Sequence, residues 1–418
     1  MSDWKTAKLG NLAEVQTGPF GSQLKNEQYI TGGTPVVTVE HITNFLIEDF
    51  TYPSVTDEDK NRLKKYTLKA GDIVFSRVGS VDLSALVKNH QDGWLFSSRM
   101  LRVRVKEKLN TKFLSYYLRQ SSVRQFIINT SVGSTMPSIN TELLKNLPLV
   151  YCSLEKQKKI AAVLSSLDDK IELNNRINSK LENLAKTIYD YWFVQFDFPD
   201  ENGKPYKSSG GKMVYNQELK REIPAGWESK KLSYFCDKIG DGIHGTPKYV
   251  DISDYSFING NNLNNGFIVI DNDTKKVSFD EYEKYFIELN DGTILLSING
   301  TLGNLAIYTG EKVMLGKSAA YINCKTKYRP YFYQFFTLEH IQKKLWNIAT
   351  GSTIKNLSLE SLKNILIPFP GGNLIEKYYE LTKPLDDKRI NIFIQNQQLT
   401  QLRDWLLPML MNGQITIK

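Results

Sequence analysis

Cysteine and histidine are scarce in this chain of 418 residues: Cys152, Cys236 and Cys324, with His41, His90, His244 and His340. The cysteines stand far apart in the sequence and none lies near a histidine, so no zinc-ligand spacing is present. Long apolar runs are missing as well. Nothing approaches the length of a membrane span, and from the opening Met1-Ser2-Asp3-Trp4-Lys5 neither a signal peptide nor an anchor is expected. The chain is therefore expected in reducing cytoplasm, with no membrane partner.

Catalytic motifs are absent too. There is no glycine-rich dinucleotide fingerprint, no serine nucleophile elbow, no histidine pair on one helix face and no Asn-Pro-Pro-aromatic box. Gly310 to Ser318 imitates a phosphate-binding loop but has five residues between its glycines where about four are needed, so it would not wrap a phosphate. Pro199-Asp200 with Glu228-Ser229-Lys230 imitates a metal-dependent nuclease, yet the carboxylates straddle an apparent linker. The chain is expected to have no catalytic residue, no metal and no cofactor of its own.

What is present begins with charge. Lysine and arginine number 53 against 45 acidic residues, a formal balance of +8 and a pI near 9.0, which is compatible with a nucleic-acid partner without demanding one.

Glycine and proline are both missing between Pro148 and Pro199, and the spacing predicts one long helix of 39 residues from Glu155 to Phe193. Ile160, Leu167, Asn174, Leu181 and Ile188 recur every seventh residue, with Leu164, Ile171, Asn178, Ala185 and Trp192 interleaved. Leu385, Ile392, Leu399 and Leu406 repeat the heptad near the end of the chain. There the second apolar row shifts to Leu402 and Met409, because Arg389 and Arg403 fall where Ile171 and Ala185 sit in the first copy. Pro384 is expected to kink or restart this second helix. Asn178 and Asn396 correspond; either they form a matched seam asparagine pair, which would fix register, or one or both face solvent. Asp168-Asp169-Lys170 and its copy Asp386-Asp387-Lys388 are placed away from the seam as solvated charge.

The repeat extends upstream. Asp386 against Asp168 and Gly351 against Gly133 share an offset of 218, and Gly71 to Ser76 pairs with Gly292 to Ser297 at 221, as small loop insertions would produce. The expected organisation is a β-rich domain over 1–150, a spacer helix over 151–194, a linker over 195–226, a second β-rich domain over 227–370 and a C-terminal helix over 371–418.

Candidate contact residues follow from loops and polar faces. Thr17 to Lys25, carrying Ser22 and Lys25, is either a loop whose glycines allow close backbone approach to something or a plain surface turn. From Leu101 to Lys106 apolar and basic residues alternate, so Arg102, Arg104 and Lys106 share a face that either lies against phosphates or is simply solvated, with Arg99 just before it. Gly133-Ser134-Thr135 recurs as Gly351-Ser352-Thr353, followed by Lys355. Such hydroxyls and free amides can bond phosphate or base edges, or merely cap a turn.

In the second half, Lys238 to Lys248 is richer in glycine and carries His244. Arg77 stands where the second copy has Ile298, next to Asn299, and Glu40 stands where it has Asn261. Lys317 completes the set. Asparagine can bond adenine bidentately and arginine guanine, so two copies with different polar residues would read different bases.

The whole arrangement resembles the specificity subunit of type I restriction-modification enzymes. Leu154-Glu155-Lys156-Gln157-Lys158-Lys159-Ile160-Ala161 looks like the family's Leu-Glu-Glu-Gln-x-x-Ile-Ala helix start. Trp192 to Phe198, Gly203-Lys204-Pro205-Tyr206 and Ile223-Pro224-Ala225-Gly226-Trp227 match the family's entry into a second domain. Cys152-Ser153 replaces the usual Pro-Pro, and Asn373-Leu374-Ile375-Glu376 matches only loosely.

The resemblance implies an α+β fold: two target-recognition domains, each followed by a long helix, the helices packed as an antiparallel coiled coil with pseudo-two-fold symmetry. It implies a non-catalytic subunit that reads a bipartite, asymmetric double-stranded DNA target. Its partners would be two methyltransferase subunits and restriction or motor subunits, which would carry S-adenosylmethionine, ATP and Mg. The competing reading is a coiled-coil assembly scaffold whose β-domains bind protein. Salt separates the two, since phosphate-mediated binding must weaken steeply with ionic strength.

Overall fold

The computed structural model describes residues 4–43, 45–48, 51–133 and 135–417. They form two compact units, Met1–Leu173 with Asn396–Lys418, and Asn174–Gln395.

The first unit is built on a four-stranded antiparallel sheet in the order Ala13–Thr17, Met100–Val105, Ile73–Ser76, Ser84–Leu86. Strand residues alternate sides. Leu101 and Val103, with Val15, Ile73 and Phe75, enter one core together with Phe113 and Leu114 of the helix Thr111–Arg119. Met100, Val74 and Ala85 face a second core with Val36, Val37 and Phe96. A sheet buried on both faces reads as short apolar runs, which is how Ile73-Val74-Phe75 looks in sequence.

The second unit repeats this frame. Its six-stranded sheet carries Cys236–Asp241, Ala319–Cys324, Ile294–Ser297 and Leu305–Ile307 as neighbours in that order. The helix Arg329–Thr337 buries Tyr331, Phe332, Phe335 and Phe336, as expected of core aromatics. In each copy a tyrosine of this helix ties it to the strand before the long helix, from positions one turn apart: Tyr117 donates its hydroxyl hydrogen to the Pro148 carbonyl, and Tyr331 donates to that of Pro368. Within the stretch expected to be a linker, Met213–Asn216 and Arg221–Pro224 pair as a hairpin, and Phe198 stacks on Trp227. Cys236 and Cys324, distant in sequence, are cross-strand neighbours. Both are free thiols whose pKa burial raises, so they are held protonated.

The first long helix runs Leu154–Tyr189 and then widens into a π-turn, Asp190–Val194, which seats Trp192 and Phe193 in the second core. Phe196, at φ 67°, ends it in the left-handed region without a glycine; the ring's burial in the core offsets that strain. The second long helix, Gly372–Met411, continues through Pro384. The expected restart fails because Pro384 and Glu380 are both exposed, so water can satisfy the carbonyl left without a donor.

The helix seams also differ from the heptad reading. Ile160 and Ile392 are buried, while Leu167, Leu181, Ile188, Leu385, Leu399 and Leu406 are half-buried. Leu402 is exposed, whereas Asp386 and Arg389 are buried. The acidic doublets are not both solvated. Asp168 accepts hydrogen bonds from Tyr116 at 2.7 Å, Arg119 at 2.7 Å and Arg403 at 2.9 Å, all within the first unit.

In the second unit Arg389 approaches Glu182 at 3.3 Å and Asp386 at 3.7 Å. Asn174 donates to Gln395 at 2.7 Å and Asn178 to the Arg389 carbonyl at 3.4 Å, so in this unit the two helix segments run antiparallel. Asn178 therefore meets main chain and Asn174 a glutamine. No helix of the described residues is long and apolar enough to cross a membrane.

Candidate nucleic-acid interface

At one end of the first sheet, four segments are tied together by main-chain bonds. The Arg77 amide donates to the Arg99 carbonyl at 2.8 Å, the Ile139 amide to the Arg77 carbonyl at 2.9 Å, and the Gly79 amide to Pro137 at 2.8 Å. Val132 and Ser138 exchange bonds of 2.9 Å across the Gly133 turn. Gly133 takes φ +105°, where a Cβ would lie 2.7 Å from the Met136 carbonyl oxygen. Gly18 donates to Met100 at 3.1 Å. A Cβ on Gly18 would sit 2.0 Å from the Ser97 carbonyl oxygen, so the close approach that this loop's glycine permits is to the protein's own backbone.

The second unit builds the same edge with the same bonds. Ile298 donates to Ser318 at 2.9 Å, Leu357 to Ile298 at 2.9 Å, and Thr350 and Asn356 exchange bonds of 3.0 and 2.8 Å across the Gly351 turn. Ser76 and Ser297 play one part twice: each hydroxyl caps the carbonyl two residues on, Val78 at 3.2 Å and Asn299 at 3.3 Å. The Asn262 side chain accepts from the Asn259 amide at 2.9 Å, as His41 Nδ1 accepts from Thr38 at 3.0 Å. Burial lowers the His41 pKa, which suits a neutral ring accepting a hydrogen bond.

Gly242 shows how tightly the loops are held. Its amide neighbour Ile243 donates to Leu315 at 2.9 Å, and a Cβ on Gly242 would lie 1.9 Å from the Leu315 carbonyl oxygen. Gly242→Ala is expected to cost about 1–3 kcal/mol in urea unfolding, because backbone must move. Gly245→Ala, whose Cβ would meet nothing within 4 Å, should leave the midpoint unchanged.

The expected contact residues divide by place. Arg77, Arg99 and Thr135 stand on the first edge with Ser22 exposed on its outer loop. Lys25, also exposed, is further along that loop, where its amide bonds the Gln28 side chain at 2.9 Å. Ser134 lies outside the described residues. His244, Asn261, Asn299, Lys317, Ser352 and Thr353 belong to the second edge, where His244 Nε2 is 3.0 Å from Asp241. Lys355 is there too, its ammonium bonding the Ala349 carbonyl at 3.5 Å and lying 5.7 Å from the centre of the Trp346 ring.

Three others are off the edge. Lys238 lies down the strand over the Tyr321 ring, and the Lys248 amide faces Glu281 of the helix Phe279–Lys284. Arg102 is not on an open face at all. It is 3% exposed and bonds Glu14 at 3.1 Å, because its end of the sheet face that carries the second core is roofed by residues 64–69.

Sequence reasoning passed over the apolar side chains of these loops: Phe20 is 56% exposed and Met136 62%, with Val132 and Ile354 similarly open. Their signal was an apolar residue inside a glycine-bearing turn. Such groups can lie against a thymine methyl. Among the described residues no cluster of His, Cys, Asp or Glu could hold a metal. The edges offer hydrogen-bonding and apolar groups on a fixed scaffold, which is the chemistry of recognition.

Known proteins share this architecture. The family described as type I restriction modification DNA specificity domain matches residues 1–183 and 224–396. The MjaIX specificity subunit of Methanocaldococcus jannaschii is 25% identical over 100% of this chain and 94% of its own length. The HindI specificity subunit of Haemophilus influenzae is 25% identical over 99% of this chain and 100% of its own. The crystal structure of the type I restriction-modification S subunit from M. genitalium superposes with a TM-score of 0.58 at 18% identity, covering 98% of this chain and 96% of that one.

Proposed function

Because the chain belongs to the type I restriction modification DNA specificity family, we propose that it reads a bipartite, asymmetric duplex target, one half-site with each edge. The observation that carries this is the duplication of one backbone scaffold with different side chains. Arg77 and Arg99 stand where Ile298 and Ser318 make the same main-chain bonds, so one geometry meets two different base patterns. The domains over 1–150 and 227–370 are the two readers. The helices over 151–194 and 371–418 are the spacer in this reading: 36 residues of helix span about 54 Å at about 1.5 Å per residue, the length scale of half-sites one or more helical turns apart.

Methylation and cleavage belong to partners in this reading. Methyltransferase subunits, two of them, use S-adenosylmethionine to methylate a flipped adenine in the site this chain selects. Restriction subunits supply ATP- and Mg-dependent cleavage. The chain contributes only the choice of sequence.

Mapping methylated adenines in source-cell DNA, with and without this gene, tests the proposal. A gapped two-part motif that vanishes with the gene is expected; an unbroken motif, or none, would sink it. Within that motif, Arg99→Ala should weaken binding by about 1–3 kcal/mol and relax one base of one half, and Asn299→Ala one base of the other half only. Selection from a randomised duplex pool reads this out, and loosening of both halves by either substitution would contradict it.

A further inference from the structure

Below the first reading edge, on the sheet face that carries Arg102 and Arg104, lies a cleft of about 530 Å³. Lys60, Lys64, Lys65, Lys69, Arg102 and Arg104 line it, and Glu14 is its one carboxylate. The Arg104 charge is matched by two bonds of 2.7 Å to Asp72. The others are not so balanced. Arg102, nearly fully buried, shares Glu14 and the carbonyls of Lys65 and Thr67 at 3.4 and 3.3 Å, and its Nε hydrogen has no acceptor. Among the described residues none of the four lysines has a carboxylate partner; Lys65 lies over the Tyr66 ring. Like charges gathered around a buried guanidinium repel one another, and a bound anion offsets that repulsion.

The second domain supplies an internal control. Arg102 pairs with Gln16 and Val74 across the first sheet; Tyr321 pairs with Gly240 and Leu295 across the second. Arg104 with Asp72 becomes Asn323 with Thr293, bonded at 2.7 Å. There the Tyr321 ring fills the face and packs in an apolar core with Ile258 and Leu263. The frame therefore folds without arginines on this strand, Lys238 over the Tyr321 ring being the cation there, and the arginines and lysines of the first domain need another reason.

Position suggests one. Arg102 is three strand residues from Arg99, and Gln16 two from Gly18, so the cleft begins about 7–10 Å from the reading edge at about 3.3 Å per residue. A duplex carries one negative charge per about 1.7 Å of axis. A duplex seated on the edge thus runs its backbone past the cleft.

We propose that this cleft grips backbone phosphates flanking the bases read by the first domain, giving the two domains unequal shares of the electrostatic affinity. The inference rests on the reading of the chain as a DNA binder, and the test keeps the two apart. The full chain is titrated with a short mixed-sequence duplex over a range of KCl concentrations. Wild type is compared with Lys64→Gln/Lys65→Gln/Lys69→Gln and with a control of equal charge, Lys112→Gln/Lys158→Gln/Lys170→Gln. All six lysines are exposed, so both variants should keep the wild-type melting temperature.

The slope of log K against log salt should fall by about 2–3 for the cleft variant, at about 0.9 per phosphate contact, and stay unchanged for the control. Equal slopes in wild type and cleft variant, or equal losses in both variants, would overturn the cleft. So would titrations with ATP or inorganic phosphate in which the cleft variant loses binding while keeping the wild-type duplex slope, since that would make it a site for free phosphate ligands. Wild type with no salt-dependent duplex binding would remove the DNA-binding reading itself, and the cleft with it.

Discussion

Asp168→Asn is expected to destabilise the first unit by about 3 kcal/mol, the scale of breaking a buried ion pair from one side. In a unit of this size that is a drop of about 6–12 °C in the thermal midpoint, read by calorimetry. The amide keeps the shape of the carboxyl but leaves Arg119 and Arg403 facing a neutral group. Both guanidiniums are largely shielded from water, so solvent replaces the lost partner poorly. A change within about 0.5 kcal/mol would mean that the node is a surface pair.

The same residue predicts a pH dependence. Burial pushes the Asp168 carboxyl up, but Arg119, Arg403 and the Tyr116 hydroxyl together hold it below the ordinary carboxylate range. A folded pKa below the unfolded one means a contribution fully present above the unfolded value and lost as pH falls through the folded one. Wild type should therefore lose stability on acidification below the ordinary carboxylate range, and Asp168→Asn should lack that part of the acid limb. Its copy, Asp386, moves the other way. It is more buried, and its arginine contacts at 3.6 and 3.7 Å are longer, so burial outweighs Arg329 and Arg389 and the pKa rises. Its favourable contribution belongs to low pH and is lost as pH rises through the folded value.

Arg389 carries the second large effect. At 2% exposure it is among the largest fully buried side chains, lying between Glu182 and Asp386 with its guanidinium 5.6 Å from the ring centres of Phe267 and Tyr333. Arg389→Ala should cost about 3–5 kcal/mol in urea unfolding, from a cavity plus a buried Asp386 left with Arg329 alone. Arg389→Met should cost clearly less, because an apolar chain of similar length fills the space and carries no desolvation penalty. Asp386 can then take up a proton, as its raised pKa favours. Equal losses for Ala and Met would show that charge, not volume, governs the site.

These charged positions show where sequence reading stops. The helices were legible, since a stretch without glycine or proline and a seven-residue apolar repeat constrain backbone and burial locally. So were the duplication, the core aromatics of both halves and the Gly-Ser-Thr turn, whose glycine takes a positive φ in each copy. Arg389 and Asp386 in the seam of the second helix were not legible. A charge in a heptad row looks like an outward face until its partners, Glu182 and Arg329, arrive from more than 50 residues away.

Arg102 was misplaced for the same reason. Alternation fixed which side of the strand it occupies, but only the packing of residues 64–69 over that side made it buried. Local sequence by itself determined the elements, their repetition and the loops that carry variable polar groups, because dihedral preference and periodicity act over a few residues. The tertiary structure alone decided which charges are paired, buried or free to meet a ligand, because desolvation and Coulomb interaction depend on neighbours that the chain brings together only when folded.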